Sequence, residues 1–251
     1  MPSPPTKLDR MQAYANPLRF VRLARQITPW TFGIAITLAL VGLYLGLVVA
    51  PPDYQQKDAA RIMYVHVPAA WMSMFVYGSM AMASAVAFIW KHPLADVAAK
   101  ASAPVGATFT ALALVTGMLW GQPMWGTWWV WDARLTSVLI LFFLYLGYIA
   151  IWSAIDEPTR AARAARILAL VGAINIPIIK FSVDWWNTLH QSASVLRTDG
   201  PAMPAAMLTP LLVMGVAYTL LYVALLLVRM RTEIARRRVR TIRLGLEALP
   251  A

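Results

Sequence analysis

Histidine is the residue type in this chain with the clearest capacity to bind a metal, and the sequence holds only three: His66, His92 and His190. His66 stands two residues before Pro68, a spacing that predicts a place in the first turn of a helix. His190 closes the aromatic run WWNTLH, whereas His92 lies in a Lys-His-Pro run typical of an ordinary interface residue. We therefore single out His66 and His190 as candidate metal ligands.

Tryptophan is concentrated in one short segment. A belt of interfacial tryptophan places one or two such residues at each membrane surface, but this segment holds five within twelve residues: Trp120, Trp125, Trp128, Trp129 and Trp131. Because glycine and proline are interleaved with them, we expect an irregular aromatic surface that can lie against a large, flat, apolar ligand. The alternative is a loop that only anchors itself among lipid headgroups.

Charged residues flank the aromatic segment. Asp132 and Arg134 follow it at once, ahead of an apolar stretch, so both are expected at the interface, where they can pair. A guanidinium can also bind a carboxylate through two parallel hydrogen bonds. Arg134, Arg61 and Arg197 are therefore candidates to bind an acidic group of a ligand.

The ligand that this inventory suits best is haem. A structural zinc site needs four nitrogen or sulfur ligands and a catalytic one needs three, whereas the chain has no cysteine and two candidate histidines. Haem asks for one or two axial ligands, aromatic contact along the ring and cations for its propionates. Ligation needs the neutral imidazole, so we expect haem binding to weaken on acidification.

Helices that cross a membrane must position these residues. The composition is 60% hydrophobic and 13% charged, which is typical of a membrane protein. Charge-free stretches long enough to span the hydrocarbon cover residues 26–52, 62–90, 101–131, 135–155 and 200–228. A sixth span is expected at about 165–185. The fold prediction is thus all-α: a polytopic membrane protein with six transmembrane helices, forming a single domain over residues 1–251.

The orientation follows from the basic residues. With both termini in the cytoplasm, 17 of the 22 lysines and arginines face inward, as the positive-inside rule requires. The net charge of +11 then reflects topology and contact with anionic membrane lipid, and no nucleic acid is expected as a partner. Pro29 is expected to open the first span, and residues 231–243 a basic helix on the membrane surface. The outward loops are predicted at about 51–66, 120–134 and 185–205.

The tryptophan segment also resembles that of a known family. The runs WG at 120–121, WGTWW at 125–129 and WDARLTS at 131–137 match the WWD domain of the CcmC proteins, which handle haem during cytochrome c maturation. The resemblance extends over nearly the whole chain, with six spans and one histidine in each flanking outward loop, His66 and His190.

The resemblance implies a function and a set of partners. It implies haem b at the periplasmic face of the bacterial inner membrane, with His66 and His190 as axial ligands and the tryptophan segment against the macrocycle. Asp132, Arg134 and Arg61, selected above from the residues themselves, complete the candidate haem-binding set. It also implies delivery of haem to the chaperone CcmE, in a complex with CcmD and the ABC transporter subunits CcmA and CcmB. The chain would not be an enzyme, and it has no phosphate-binding loop, so ATP hydrolysis would fall to those partners.

Three other functions remain open at this point. Cytochrome c haem lyases share the tryptophan segment but are larger and carry more histidines. A b-type membrane cytochrome would place histidine pairs within opposing helices. A transporter subunit would pass haem or another small molecule through its core, where polar residues are few. Most of these polar residues are interpreted as helix-packing residues. Asn175 and Pro177 are the exception, since a bend in the fifth span can shape the floor of an outer site, with helix packing as the alternative.

Overall fold

The computed structural model describes residues 16–191, 194–195 and 197–247, and apart from one isolated bridge between Asp53 and Lys57 these residues form helices and loops. Two of the basic residues predicted to face the cytoplasm, Lys7 and Arg10, precede residue 16 and lie outside the described residues. The α-helices are α1 (Pro17–Tyr44), α2 (Met63–Trp90), α3 (Pro93–Trp125), α4 (Ala133–Ala154), α5 (Pro158–Gly172), α6 (Asn175–Trp185) and α7 (Ala205–Glu247).

Six helical segments are long and apolar enough to cross a membrane, which confirms the predicted fold class. Four of them are α1 with its π-helical end, α2 with a preceding 3-10 turn, α3 and α4. Helices α5 and α6 together make the fifth segment, Pro158–Trp185, and α7 makes the sixth. The fifth segment therefore begins earlier than the predicted residue 165.

The first helix begins at Pro17, so the prediction that Pro29 opens the span is wrong. Asn16 caps the helix, because its side-chain oxygen accepts a hydrogen bond of 2.9 Å from the Leu18 N–H. Pro29 lies inside the helix. A proline within a helix removes one backbone hydrogen bond, and here the helix continues through it.

Where a bend was predicted, the α-helix of the fifth segment is interrupted by a turn at Ala173 and Ile174, just ahead of Pro177. Pro177 occupies the first turn of α6, where a missing N–H is tolerated, and its ring prevents a regular turn at Ala173, four residues earlier. The Asn175 amide donates a hydrogen bond of 2.8 Å to the Ser137 carbonyl of α4. This bond attaches the start of α6 to the neighbouring span.

The last helix is continuous over 43 residues. At 1.5 Å per residue it is about 64 Å long, roughly twice the thickness of a bilayer's hydrocarbon core. Residues 231–243 are helical, as predicted, but the prediction that they lie on the membrane surface is wrong. The basic segment continues the direction of the span, since within α7 nothing interrupts the helix.

The core of the bundle lies between α2, α3, α4 and α5, and α1 packs along α7. Tyr145 shows how closely the central helices approach. Its hydroxyl donates a hydrogen bond of 2.8 Å to the Ser73 carbonyl, and its ring fills the space at Gly106, where a Cβ would lie 2.1 Å from the ring. The connections after α1, α3 and α6 lie at one end of the bundle, which we call the site end.

Candidate functional site

Two side-chain contacts hold together the elements of the site end. The Trp120 indole N–H of α3 donates a hydrogen bond of 2.9 Å to the Gln56 side chain in the connection after α1. The His190 imidazole, in the connection after α6, lies 3.0 Å from the carboxylate of Asp132 in the connection after α3. The structure therefore brings His190 and the tryptophan segment together, as the topology predicted.

The helices extend further into the predicted outward loops than expected. Helix α3 ends at Trp125, and Gly126 terminates it with a φ of +73°. Trp120 and Trp125 are therefore helical residues, and the loop proper covers 126–132. His66 is the fourth residue of α2, consistent with the first turn predicted from its spacing to Pro68. The third connection covers residues 186–204, of which 192, 193 and 196 lie outside the described residues.

The His66 imidazole is held by a threonine of α3. Its Nδ1 atom lies 3.0 Å from the Thr116 hydroxyl, and that hydroxyl donates its own proton over 2.6 Å to the Leu112 carbonyl. With the hydroxyl proton used, Nδ1 must be the donor of the first bond. The lone pair of the neutral ring then lies on Nε2, which is the atom available to a metal.

A glycine of α3 provides the space for this imidazole. A Cβ at Gly117 would lie 3.0 Å from the His66 Cε1 atom, tighter than an ordinary contact. The Trp120 ring meets the imidazole edge-on, with centroids 5.6 Å apart and planes at 77°. His66 is thus enclosed by one turn of α3 and has little freedom to rotate.

Asp132 is the centre of the second half of the site. It caps α4, because one carboxylate oxygen accepts a hydrogen bond of 2.7 Å from the Leu135 N–H. The other oxygen accepts bonds from the Thr188 hydroxyl and from His190 Nδ1. Only 4% of the Asp132 side chain is exposed. The predicted pairing with Arg134 does not occur, since Arg134 donates instead to backbone carbonyls of α6.

The pKa values of this pair favour a carboxylate beside a neutral imidazole. Burial raises the pKa of the Asp132 carboxyl, but the hydrogen bonds from Thr188, from the Leu135 N–H and from the imidazole lower it more. Burial lowers the pKa of His190; the hydrogen bond to the carboxylate and its charge raise it only in part, and the Arg134 cation lowers it further. His190 Nδ1 therefore donates to the carboxylate, and Nε2 carries the lone pair.

The five tryptophans of the segment differ in their surroundings. Trp125 meets His190 edge-on, with centroids 5.0 Å apart, and its ring lies over Gly121, where a Cβ would be 2.9 Å away. Trp129 packs edge-on against Trp131. Its Nε1–H is buried and meets no acceptor among the described residues. Trp131 and Trp128 are the exposed members, at 75% and 57%.

The three candidate cations all lie at the site end, and each hydrogen-bonds to a different group there. Arg61 donates a hydrogen bond of 3.1 Å to the Gly46 carbonyl and pairs with Asp58. Arg134 donates to the end of α6 and lies close enough to His190 to affect its pKa. Arg197 pairs with Asp199 in an exposed turn. Of the three, Arg134 is the cation whose charge acts on the second histidine.

Four residues that contact the candidate site residues were not predicted as part of the site from the sequence: Gln56, Thr116, Gly117 and Thr188. Thr116 and Gly117 stand in an apolar stretch, where such residues usually serve helix packing. Their position four and three residues before Trp120 was the one available signal, since residues at that spacing share a helix face.

Among the described residues, no three His, Asp or Glu side chains converge on a metal-sized space.

Fold and candidate site together define a multi-pass helical membrane protein with a tryptophan-rich end that also carries His66 and His190. The family model for heme exporter protein C matches residues 10–245. The chain belongs to that family.

Three relatives bear the same name, heme exporter protein C. The protein of Bradyrhizobium diazoefficiens is 60% identical over 230 residues, which are 92% of this chain and 87% of the relative. That of Haemophilus influenzae is 49% identical over 226 residues, covering 90% and 92%. That of Escherichia coli is 48% identical over 220 residues, covering 88% and 89%. The family resemblance is thus confirmed, and it assigns the chain to haem transport in cytochrome c biogenesis.

A titration tests the electrostatics of His190. In a double variant, His66→Ala with His92→Ala, His190 is the remaining histidine and its imidazole can be followed by NMR in detergent. Because burial lowers its pKa, we expect the midpoint below 6.5. The neutral ring then favours the folded state above pH 6.5, and this contribution is lost as the pH falls through the lowered pKa. Adding Asp132→Asn removes a carboxylate that raises the pKa, so the midpoint should fall further. A midpoint above 6.5 would contradict this balance.

Proposed function

We propose that this protein binds haem b at its site end through axial ligation by His66 and His190, and delivers it to the periplasmic chaperone CcmE. One observation supports the ligation above all. The two histidines come from separate elements, α2 and the connection after α6, and each donates its Nδ1–H to a fixed acceptor, Thr116 or Asp132. Both rings therefore present Nε2, the arrangement in which a histidine beside a carboxylate or hydroxyl binds a metal.

The aromatic residues would divide the contact with the macrocycle between them. Trp120 and Trp125 meet the two imidazoles edge-on and would keep their planes fixed. The exposed rings of Trp128 and Trp131 offer apolar surface to a porphyrin at the protein's edge. The Trp129 N–H would gain an acceptor if a propionate or a rearranged loop carbonyl came within reach, which would relieve the cost of a buried unpaired donor.

Arg134 and Arg61 would receive the propionates. Each guanidinium has five N–H donors, and the hydrogen bonds of Arg134 to α6 are long, at 3.3 to 3.4 Å. Such bonds leave donors free for a carboxylate. Asp132 would act on the ligand indirectly: its carboxylate would orient His190 and raise the basicity of the ligating nitrogen.

The orientation in the membrane is part of the proposal. The end opposite the site carries Lys100 paired with Glu233, Arg166 paired with Asp96, and the basic end of α7. Basic residues favour the cytoplasmic side. We therefore place both termini in the cytoplasm and the site at the periplasmic face of the bacterial inner membrane.

Delivery requires that the haem be released as well as bound. The ligand would lie near the surface, where a partner can reach the edge that Trp128 and Trp131 line. We propose CcmE as the acceptor and CcmD, CcmA and CcmB as members of the same complex, with ATP hydrolysis on those partners. The chain itself would act as a binding and presenting subunit and would catalyse no reaction.

The visible absorption spectrum of the detergent-purified protein tests the ligation. Expressed in haem-producing cells, the wild-type protein should carry haem with a bis-imidazole spectrum. His66→Ala and His190→Ala should each change that spectrum and reduce the haem content by about tenfold or more, because losing even a residue that only supports a metal ligand typically costs about tenfold or more in affinity. His92→Ala is the matched control, because His92 lies at the opposite end, between α2 and α3. Equal damage from all three substitutions would refute the assignment.

Transfer to CcmE tests the role of the exposed tryptophans. In membranes that contain both proteins, Trp128→Ala with Trp131→Ala should lower the yield of haem-loaded CcmE several-fold, because the surface next to the acceptor loses its aromatic contact. The protein should still insert and keep both axial ligands. Trp30→Ala, an equally exposed tryptophan of α1, is the control and should leave transfer unchanged. A double variant that fails to insert would instead support the headgroup-anchor alternative.

A further inference from the structure

The end of α7 has two different faces. The inner face packs on the bundle through Met230 and Ile234, which contact the start of α3. Beside them the buried Glu233 carboxylate accepts hydrogen bonds of 2.9 Å from Lys100 and 3.0 Å from Arg237. These contacts hold the segment in a fixed rotation about its own axis.

The outer face carries an apolar stripe. Ala235, Val239, Ile242 and Leu246 recur at intervals of three or four residues, so they share one side of the helix. That side points away from Glu233 and the bundle, and all four residues are exposed, Leu246 to 64%. A shallow depression of about 400 Å³ lies along one edge of the stripe, the edge that carries Arg236 and Arg243. Two of the stripe residues line it along with others: Thr232, Ala235, Arg236, Val239, Arg240 and Arg243.

Arginines border the stripe on both sides. Arg236 and Arg243 follow stripe residues by one position and flank one edge, and Arg238 flanks the other. In a helix pair the apolar seam corresponds to the a and d positions, and the flanking residues to the e and g positions that choose the partner by charge. Every flanking charge of this seam between residues 235 and 246 is positive.

We propose that this stripe is the docking site for an amphipathic helix of a partner protein, with apolar residues along the facing seam and Asp or Glu on both flanks. The apolar residues supply the buried contact, and the carboxylates pair with Arg236, Arg238 and Arg243. Such flanking charges decide specificity and association rate more than they add affinity. The proposal concerns the end opposite the haem site and does not depend on haem ligation.

Two other occupants fit the observations less well. A second copy of the chain would place arginine against arginine along the seam, which disfavours pairing. An anionic lipid surface attracts basic helices that lie flat in the interface. Here the segment continues the membrane span without a break, so its outer face is directed sideways from the span's axis.

Site-specific photo-crosslinking in intact cells tests the proposal. A photo-reactive amino acid replaces Val239 on the stripe, or Leu244, which is equally exposed at 57% but lies on another side of the helix, as the control. We expect position 239 to crosslink to one protein. Mass spectrometry should place the crosslink in a segment with apolar residues at three- and four-residue spacing flanked by Asp or Glu. Position 244 should give little product. Crosslinks to lipid, to a second copy of the chain, or none at all would overturn the proposal.

Charge reversal provides the second arm. Arg236→Glu with Arg243→Glu should lower the crosslink yield at position 239 by about tenfold, because the proposed arginine–carboxylate pairs at both positions become repulsive contacts between two carboxylates. Replacing the flanking acidic residues of the identified segment with Lys should restore it. Both residues are exposed on the outer face, so the variant should fold and keep the haem spectrum of the wild type. Crosslinking that is indifferent to the reversal would contradict the proposed charge pairing.

Discussion

The hydrogen bonds of the Asp132 carboxylate are the interaction on which the site depends. One oxygen caps α4, and the other accepts from Thr188 and from the His190 imidazole. A single buried carboxylate therefore connects the tryptophan segment, the fourth span and the connection after α6. Replacing it with an apolar residue would leave buried donors unpaired in two elements, α4 and the connection after α6. Such a loss typically costs about 1–3 kcal/mol for each group.

The same chemistry is repeated at His66 by a different group. The Thr116 hydroxyl donates a hydrogen bond to the Leu112 carbonyl and accepts one from the His66 Nδ1–H. A neutral group thus sets the tautomer of His66. The two histidines thus have acceptors of unequal strength, a carboxylate for His190 and a hydroxyl for His66. A carboxylate makes the ligating nitrogen more basic. If the proposed ligation holds, this inequality would make His66 the weaker ligand and the one to leave the iron first.

The sequence predicted the fold and the members of the site better than their local geometry. Six spans could be read because each needs a long apolar stretch, and the topology alone brought His190 to the tryptophan segment. Asp132 was predicted at the site, but as a partner of Arg134, because neighbours in sequence were assumed to be neighbours in space. Thr116 and Gly117 were missed, since their role depends on which side of α3 faces His66. The continuity of α7 was missed because charge density marks where a membrane span stops, although the helix itself runs on.

The measurement that tests this account most directly is the electron paramagnetic resonance spectrum of the ferric haem-loaded protein, as wild type and as Asp132→Asn. Asparagine can still cap α4 through its amide oxygen, but its NH₂ group cannot accept the bond from His190 Nδ1. We predict a low-spin bis-imidazole signal for the wild type. In the variant a high-spin fraction should appear as His190 loses its orientation. Identical spectra would contradict the claim that Asp132 presents His190 to the iron.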